Sequence, residues 1–293
     1  MGNIIFGLDN YLDEATLTAG SEDANMPVEN LQDEILAIRY RSAGINPANT
    51  YIDIDLGTEK EISLLGIFNH LTGRVATCRW VLTTGAAATG TVIYDSENEV
   101  AGGIPLWGRA YNSLSMRWEQ PHWWFGQISD AEAETYYQNC FHIPSDILYG
   151  RYLRLYIDDS LSDIAYFELG RLYVGPKEQL PYNFVYGSSE GTIDDSPRMS
   201  TLGGVVVKER RRPIRTAQYN IEEIPETPIN YRSLFKQIQN RIGKARQFVV
   251  IPQPDNVIET TFTAMMCSQS SINDVVYKSV GVSSTRINVV EER

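Results

Sequence analysis

Histidine and cysteine are scarce in this 293-residue chain, which removes the residues that most metal and redox sites require. The three cysteines, Cys78, Cys140 and Cys267, are widely spaced and form no CxxC pair, so the sequence predicts neither a disulfide framework nor a structural zinc site. The three histidines lie 52 and 20 residues apart, without the short spacing of metal ligands. We expect all six side chains to be structural.

Long apolar runs, a basic leader segment and enzyme signatures are also missing. No stretch is long and apolar enough to cross a bilayer, and the start of the chain lacks the basic region and cleavage site of a secretory signal. There is no GxSxG elbow, P-loop or HExxH motif. We therefore expect a non-enzymatic protein without a cofactor, made in a cytoplasm. Asp53 and Asp55, which share one face of a predicted strand, are weak candidates for a cation site.

Charge is distributed unevenly along the chain, whose net charge is -12. Residues 197–293 hold 14 Lys or Arg and 9 Asp or Glu, a net charge of +5, and the other 11 basic and 28 acidic residues give residues 1–196 a net charge of -17. A charge of +5 over 97 residues is weak for nucleic-acid binding. We expect opposite charges to meet between neighbouring subunits.

The candidates for that interface are basic residues of the second half: Arg210, Arg211, Arg212, Lys244 and Arg246. The arginine run has three open interpretations. It binds phosphate, it is solvated charge at the edge of a strand, which discourages aggregation, or it contacts an acidic protein partner, and we prefer the last two.

Alternation of polar and apolar residues predicts a β-rich first region. Between Tyr51 and His70, one alternating strand ends at Gly57, and a charged turn over 58–61 leads to a more buried strand over 62–68. No alternation of strands and helices appears, so we do not expect a parallel doubly wound sheet. Further strands are predicted over 76–84, 91–94, 149–159 and 165–174, the last with a bulge at Gly170.

The chain beyond about residue 180 predicts a second β-rich region with one helix. Leu234, Ile238 and Ile242 have the spacing of an amphipathic helix over Tyr231–Gly243, which the glycine ends. Strands are predicted on both sides of this helix, over 183–186, 205–207, 217–224, 247–251, 257–265, 275–282 and 285–290.

Residues 104–142 hold four of the five tryptophans. Two interpretations stay open, because aromatic rings bury large apolar areas wherever they occur but are also enriched at binding surfaces. They either fill the rim of a sandwich and a long inserted loop, or form a face for a glycan or protein partner. The candidates for such a contact are Trp107, Trp118, Trp123, Trp124, Tyr136 and Tyr137.

The order of the motifs YIDIDLG, ISLLGIFNH, GRYLRLYI and FELGRLYVG resembles the discoidin or galactose-binding-like jelly roll over about residues 25–175. The resemblance implies that residues 1–180 form a jelly-roll β-sandwich with an acidic lead-in. The pattern of strands and one helix described above predicts that residues 181–293 form a second antiparallel β domain with one packed helix, so we expect a mainly β fold in two domains.

The second region resembles distal-tail and tail-tip proteins of tailed bacteriophages in its Asp195-Ser196-Pro197 segment, Gly-Gly strand start, central helix, Val-Ile-Pro-Gln-Pro turn and acidic end at Glu291-Glu292. That resemblance implies a virion structural protein of a phage tail tip or baseplate, made in the bacterial host cytoplasm, with residues 181–293 as its tail-assembly domain. Its partners would be copies of itself, in a ring or cluster, and other tail proteins, with no nucleic acid and no membrane insertion.

The alternative function is that of a carbohydrate-binding module, which would contact host-surface glycans through the aromatic residues of 104–142. A glycan-cleaving enzyme is the least favoured hypothesis, because it would need a convergent pair of carboxylates in a cleft, and sequence spacing does not reveal such a pair.

Overall fold

The computed structural model describes residues 2–108, 138–200, 206–209, 211–225 and 231–292. Strands dominate the described residues, and all of their pairings that we describe are antiparallel. The strands and helices, in chain order, are β1 (Ile5–Gly7), β2 (Thr16–Ala19), β3 (Tyr40–Arg41), β4 (Tyr51–Ile62), β5 (Leu64–Phe68), β6 (Thr77–Gly85), β7 (Thr89–Asp95), β8 (Ile104–Pro105), β9 (Asn139–His142), β10 (Leu148–Asp158), β11 (Glu168–Leu169), β12 (Arg171–Gly175), β13 (Glu178–Gln179), β14 (Ser189–Ile193), β15 (Arg198–Ser200), β16 (Val206–Lys208), β17 (Ile214–Pro225), α1 (Tyr231–Gln237), β18 (Phe248–Ile251), α2 (Val257–Thr263), β19 (Met265–Ser271), β20 (Val276–Ser279) and β21 (Val282–Glu291).

Two sheets form the sandwich of the first region. One has the order β2-β4-β10-β6-β7, with β8 also paired to β6, and the other has the order β12-β5-β9. Their inner faces share one apolar core, because the alternating residues of β4 and β10 pack against those of β5 and β12. Trp80 and Leu155 lie in this core and are almost completely buried.

The turn predicted over 58–61 is wrong, because these residues belong to the long strand β4. The strand continues from Tyr51 to Ile62, and only Ser63 separates it from β5 in the opposite sheet. Gly57 lies inside β4 at φ +75°, a conformation that glycine adopts at little cost. The register with β10 shifts at this level, so the glycine marks an irregularity within the strand and not its end.

The bulge predicted at Gly170 is wrong, because the glycine lies at a break between two strands of different sheets. Gly170 separates β11, which pairs with β3, from β12, which pairs with β5. A Cβ atom at this position would lie 2.7 Å from the carbonyl oxygen of Leu36, so a side chain would not fit against the neighbouring backbone. The glycine therefore allows the chain to change sheets while its apolar residues stay buried.

The second region is an eight-stranded sheet with the order β13-β1-β18-β19-β21-β17-β14, in which β20 also pairs with β21. Helix α1 and the π-helical turn Ile238–Ile242 pack Phe235, Ile238 and Ile242 against it. Gly243, at φ +55°, ends this helix as predicted. The predicted fold class, mainly β with a sandwich and an antiparallel region that carries a packed helix, is confirmed.

Two local predictions in this region are wrong. Residues 257–263, predicted as a strand, form helix α2, whose first turn is capped because the Asn256 side chain accepts a hydrogen bond from the Glu259 backbone at 3.3 Å. Residues 183–186 form no strand. None of the described helices is long and apolar enough to span a membrane.

The sandwich and the large sheet are joined by a continuous apolar layer that includes Ile5, Phe68, Tyr173 and Val249. Strand β1, from the very start of the chain, pairs with β18 of the large sheet. Residues from both sides of the predicted division at residue 180 therefore share one sheet, and the division into domains 1–180 and 181–293 stays a prediction.

Candidate functional site

The two cation-site candidates are occupied by arginine side chains. Asp53 accepts two hydrogen bonds from Arg154, at 2.6 and 2.7 Å, and Asp55 accepts two from Arg151, at 2.6 and 2.8 Å. These forked pairs use both oxygens of each carboxylate and lower the pKa of Asp55, chiefly through the hydrogen bonds from Arg151. Among the described residues, no group of three His, Cys, Asp or Glu side chains could hold a metal ion.

Trp107, a candidate for glycan contact, lies in the sandwich core and is 5% exposed. Its indole N–H donates to the carbonyl of Thr72 at 3.2 Å, and its ring makes an edge contact with His70. Burial lowers the pKa of His70 to about 3, so this histidine is neutral at physiological pH. An indole so enclosed has no open face for a sugar, and Trp107 serves as a core residue.

The remaining aromatic candidates, and one of the arginines, fall outside the part of the chain that the structure describes. These residues are Trp118, Trp123, Trp124, Tyr136, Tyr137 and Arg210. Their predicted roles stay predictions.

The other basic candidates occupy different places. Arg211, Lys244 and Arg246 are exposed, whereas Arg212 lines a cavity between the sandwich and the large sheet. The Arg211 Nε donates to Glu209 at 3.4 Å, a surface pair that contributes little to stability. The structure therefore places Arg212 in the wall of a cavity and leaves Arg211, Lys244 and Arg246 at exposed positions.

Strands β15 and β16 form a separate two-stranded sheet, which we call the hairpin arm (Arg198–Ser200 and Val206–Lys208). All six residues are exposed. The base of the arm is held because the Arg211 backbone donates to the Ser196 hydroxyl at 2.9 Å and the Glu209 backbone to Pro197 at 3.3 Å. A two-stranded hairpin without further strands is marginally stable in water, so the arm is an unusual feature for an isolated chain.

The two faces of the arm differ in chemistry. Met199 is directly opposite Val207 on one face, and both are exposed, at 70% and 55%. Arg198 is directly opposite Lys208 on the other face, where like charges repel across the strands. No ion pair with a carboxylate is formed by either cation within the described residues. The Asp194 carboxylate, whose pKa is lowered chiefly by hydrogen bonds from Ser196 and also by the nearby Arg198, balances part of this charge. The arm therefore offers an apolar patch and a net positive charge.

The residues of the arm lie in a segment that sequence reasoning treated mostly as a polar loop. The Val205-Val206-Val207 run did indicate β16, but nothing local indicated β15, which is three residues long and has one apolar side chain. The signal that could have revealed it is the pairing of Arg198-Met199 with the valine run across a turn.

A cavity of about 470 Å3 lies between the sandwich and the large sheet. In its wall, Glu168 accepts hydrogen bonds from Arg39 at 3.0 Å and from Arg41 at 2.9 Å, and Arg39 also donates to Asn69 at 2.8 Å. Burial raises the pKa of Glu168, but the hydrogen bonds from Arg41 and Arg39 outweigh it, and the net result is a lowered pKa. The cavity thus has fixed, planar polar groups, and the formal charges of its three arginines and three glutamates balance once Arg212, Glu291 and Glu292 of the lining are included.

The fold and these surfaces define a β-sandwich protein with an appended antiparallel sheet and an exposed basic arm. No protein-family model matches the chain, and no curated protein matches its sequence.

Part of the chain is similar to solved sugar-binding modules. One is the family 32 module of Clostridium perfringens NanJ in complex with galactose, at 10% identity and a TM-score of 0.37, over 59% of this chain and 99% of that module. A fucose-binding module of Streptococcus pneumoniae is 12% identical with a TM-score of 0.36, over 58% of this chain and 95% of that module. A chitosan-binding module from Paenibacillus sp. IK-5 is 13% identical with a TM-score of 0.38, over 58% of this chain and 100% of that module.

Proposed function

We propose that this chain is a non-enzymatic structural protein of a phage tail tip or baseplate, which assembles through contacts with its own copies and with neighbouring tail proteins. The observation that carries the proposal is the hairpin arm. Its exposed apolar residues and like-charged cations are unfavourable in an isolated chain, and both costs disappear when a partner covers the arm. A structural role needs such a surface and no catalytic group.

The distribution of charge supports a partner of the same kind. The net charge of -17 over residues 1–196 offers many acidic surfaces to a basic arm. Some of this complementarity is already used within the chain, where Arg241 of the second region donates to Asp9 at 2.8 Å. Contacts of the same type between copies would orient neighbouring subunits during assembly.

The oligomeric state tests the proposal. Native mass spectrometry and electron microscopy of the full chain at low salt should show a discrete ring or cluster of copies. Arg211→Gln should weaken the assembly if the arginine run contributes to it, and Arg286→Gln, at an exposed arginine elsewhere in the second region, is the matched control. A monomer at all protein concentrations and at low salt would contradict the proposal.

Glycan binding is the second candidate function, and the cavity lined by Arg39, Arg41 and Glu168 favours it. Its volume suits a small ligand, and its fixed donors and acceptors are of the kind that orient one. A glycan array on the purified chain tests this function. Trp123→Ala and Trp124→Ala test the aromatic region, and Arg39→Gln tests the cavity. Binding lost only in Arg39→Gln would assign the ligand to the cavity, and no binding by the unmodified chain would exclude this function.

A further inference from the structure

We infer that the hairpin arm docks on an acidic ridge of a second copy of this chain, formed by Glu29, Glu34, Ile35 and Ile38. This inference rests on the proposed self-assembly and adds the surface that receives the arm. It also specifies which face of the arm makes the contact.

The ridge is a fixed feature of the first region. The Asp33 carboxylate accepts a hydrogen bond from the Ile35 backbone at 2.8 Å, and the Ile38 backbone donates to Ile35 at 2.9 Å, so the segment forms a tight turn. Gln247 donates to the Glu34 carbonyl and ties the turn to the second region. A turn held at these points presents its outward side chains without a large entropic cost on docking.

The exposed side chains of the ridge are apolar and acidic together. Ile35 is 54% exposed and Ile38 is 37% exposed; Glu34, next to Ile35, is exposed, and so is Glu29 in the helical turn that precedes this segment. The next basic residues along the chain, Arg39 and Arg41, direct their guanidinium groups to Glu168. They therefore do not pair with Glu29 or Glu34, and neither glutamate forms an ion pair within the described residues. The exposed Arg246, next to Gln247, lies near Asp13 as Glu34 does, so it offsets part of the negative charge of the ridge.

One face of the arm is the complement of this ridge. Side chains two residues apart share a face of a strand, so Arg198 and Lys208 lie on the same face as Ser200 and Val206. That face combines an exposed valine with two cations, as the ridge combines two isoleucines with two carboxylates. Docking would bury Val206 against the isoleucines and relieve the repulsion between Arg198 and Lys208.

A second copy is the occupant that the structure favours. Both surfaces are exposed in the single chain, so the arm does not cover its own ridge. Leu36 of the ridge segment and Arg212 at the base of the arm border the same cavity, which places the two surfaces on neighbouring parts of each molecule. Each copy can then give an arm to one neighbour and offer a ridge to another.

Cysteine cross-linking tests the inference in the full chain. The three native cysteines are buried, so they give little background. Separately purified Val206→Cys and Ile35→Cys variants are mixed under mild oxidation at low salt. The matched control replaces Val206→Cys by Met199→Cys, which lies on the opposite face of the arm. We expect about tenfold more disulfide-linked pairs with Val206→Cys than with the control, equivalent to about 1.4 kcal/mol of preference.

The outcomes separate the inference from the proposed function. Oligomers that form without a cross-link between residues 206 and 35 overturn the inference and leave self-assembly standing, whereas a chain that stays monomeric overturns both. Equal cross-linking by Val206→Cys and Met199→Cys overturns the assignment of the face. A chain carrying both substitutions that cross-links only within itself shows that the arm closes on its own ridge, and overturns docking on a second copy.

Charge reversal gives a second readout that does not depend on oxidation. Glu34→Lys should weaken association, and Lys208→Glu in the same chain should restore it, because the new charges again attract between copies. Both positions are exposed, so folding should be unaffected. Lack of rescue, with both single variants impaired, would overturn the pairing of these surfaces.

Discussion

Two antiparallel strand pairs in this protein place charged residues directly opposite each other, with opposite results. In the pair of β4 and β10, Asp53 is opposite Arg154, and the side chains form a forked ion pair. In the pair of β15 and β16, Arg198 is opposite Lys208. The first pair is satisfied within the chain, and the second is unfavourable until another molecule approaches.

The difference shows which part of the molecule is framework and which part is a contact surface. The guanidinium of Arg154 lies over the ring of Tyr51 at 4.1 Å, so the outer face of the sandwich sheet is a completed polar network. The six residues of the arm are exposed, and its two opposed cations form no ion pair within the described residues, although Asp194 lies near Arg198. Stability should therefore depend on the sandwich, and association should depend on the arm.

The largest effect is expected from Trp80→Ala in the sandwich core. Trp80 is 1% exposed, so its removal should cost about 3–5 kcal/mol in the free energy of unfolding. Met199→Ala in the arm should change that free energy by less than about 0.5 kcal/mol. Urea unfolding followed by fluorescence and circular dichroism measures both. Equal effects would show that the arm is part of the framework.

The pH dependence of stability should also come from the sandwich interior. Burial lowers the pKa of His70 from 6.5 to about 3, so below pH 6.5 the unfolded chain binds a proton that the folded chain excludes. Stability contributed by this residue is fully present above pH 6.5 and falls by about 1.4 kcal/mol per pH unit below it.

His70→Gln should flatten this slope, since an amide can still donate to the Leu106 carbonyl, which His70 Nε2 contacts at 3.0 Å. Because the substitution also changes the packing around position 70, the slope of stability against pH and not its absolute value is compared, by urea unfolding between pH 8 and pH 5. His142, whose pKa is also lowered by burial, should leave a residual slope. An unchanged slope would contradict this assignment.

A smaller effect is expected in the coupling free energies of the two charged pairs, which should differ in sign. A double-mutant cycle with Asp53→Ala and Arg154→Ala should give a favourable coupling of about 1 kcal/mol, because the pair is forked and partly buried. The same cycle with Arg198→Ala and Lys208→Ala should give an unfavourable coupling of a few tenths of a kcal/mol at low salt. A favourable coupling in the arm would contradict the contrast between the two pairs.

The smallest effect is expected from Lys208→Gln on the isolated chain. Removing one of two like charges should stabilise the arm by about 0.2–0.5 kcal/mol, while the same change weakens association. Hydrogen exchange of the arm amides in dilute protein measures the first effect, and sedimentation measures the second. If Lys208→Gln lowers the hydrogen-exchange protection of the arm amides and leaves association unchanged, our interpretation of the two like charges is wrong.

The local pattern of polar and apolar residues was enough to predict many of the strands and the packed helix. Period-2 alternation predicted β10 within a residue of its ends, because one face of this strand is buried and the other is polar. The spacing of Leu234, Ile238 and Ile242 predicted the packed helix. Asp53 and Asp55 were correctly placed on one face, although their arginine partners lie about a hundred residues away and could not be read locally.

The predictions of secondary structure are wrong where contacts between distant residues, or a capping side chain, outweigh the local polar and apolar pattern. Gly57 looked like the end of a strand, yet the pairing with β10 carries β4 through it. Residues 257–263 are rich in β-branched side chains, but the Asn256 cap favours a helix. The pairing of β1 with β18 joins residues more than two hundred positions apart, and the arm pairs two three-residue strands, too short for a periodic signal.

The most direct test of the central claim, that the arm is a contact surface between copies, is sedimentation velocity at low and high salt. It compares the unmodified chain with the Arg198→Gln/Lys208→Gln variant at matched concentrations. We predict an oligomer at low salt that dissociates as salt screens the charges, and a variant that is folded but monomeric at the same concentration. An oligomer equally populated in both proteins and at both salt concentrations would contradict the account.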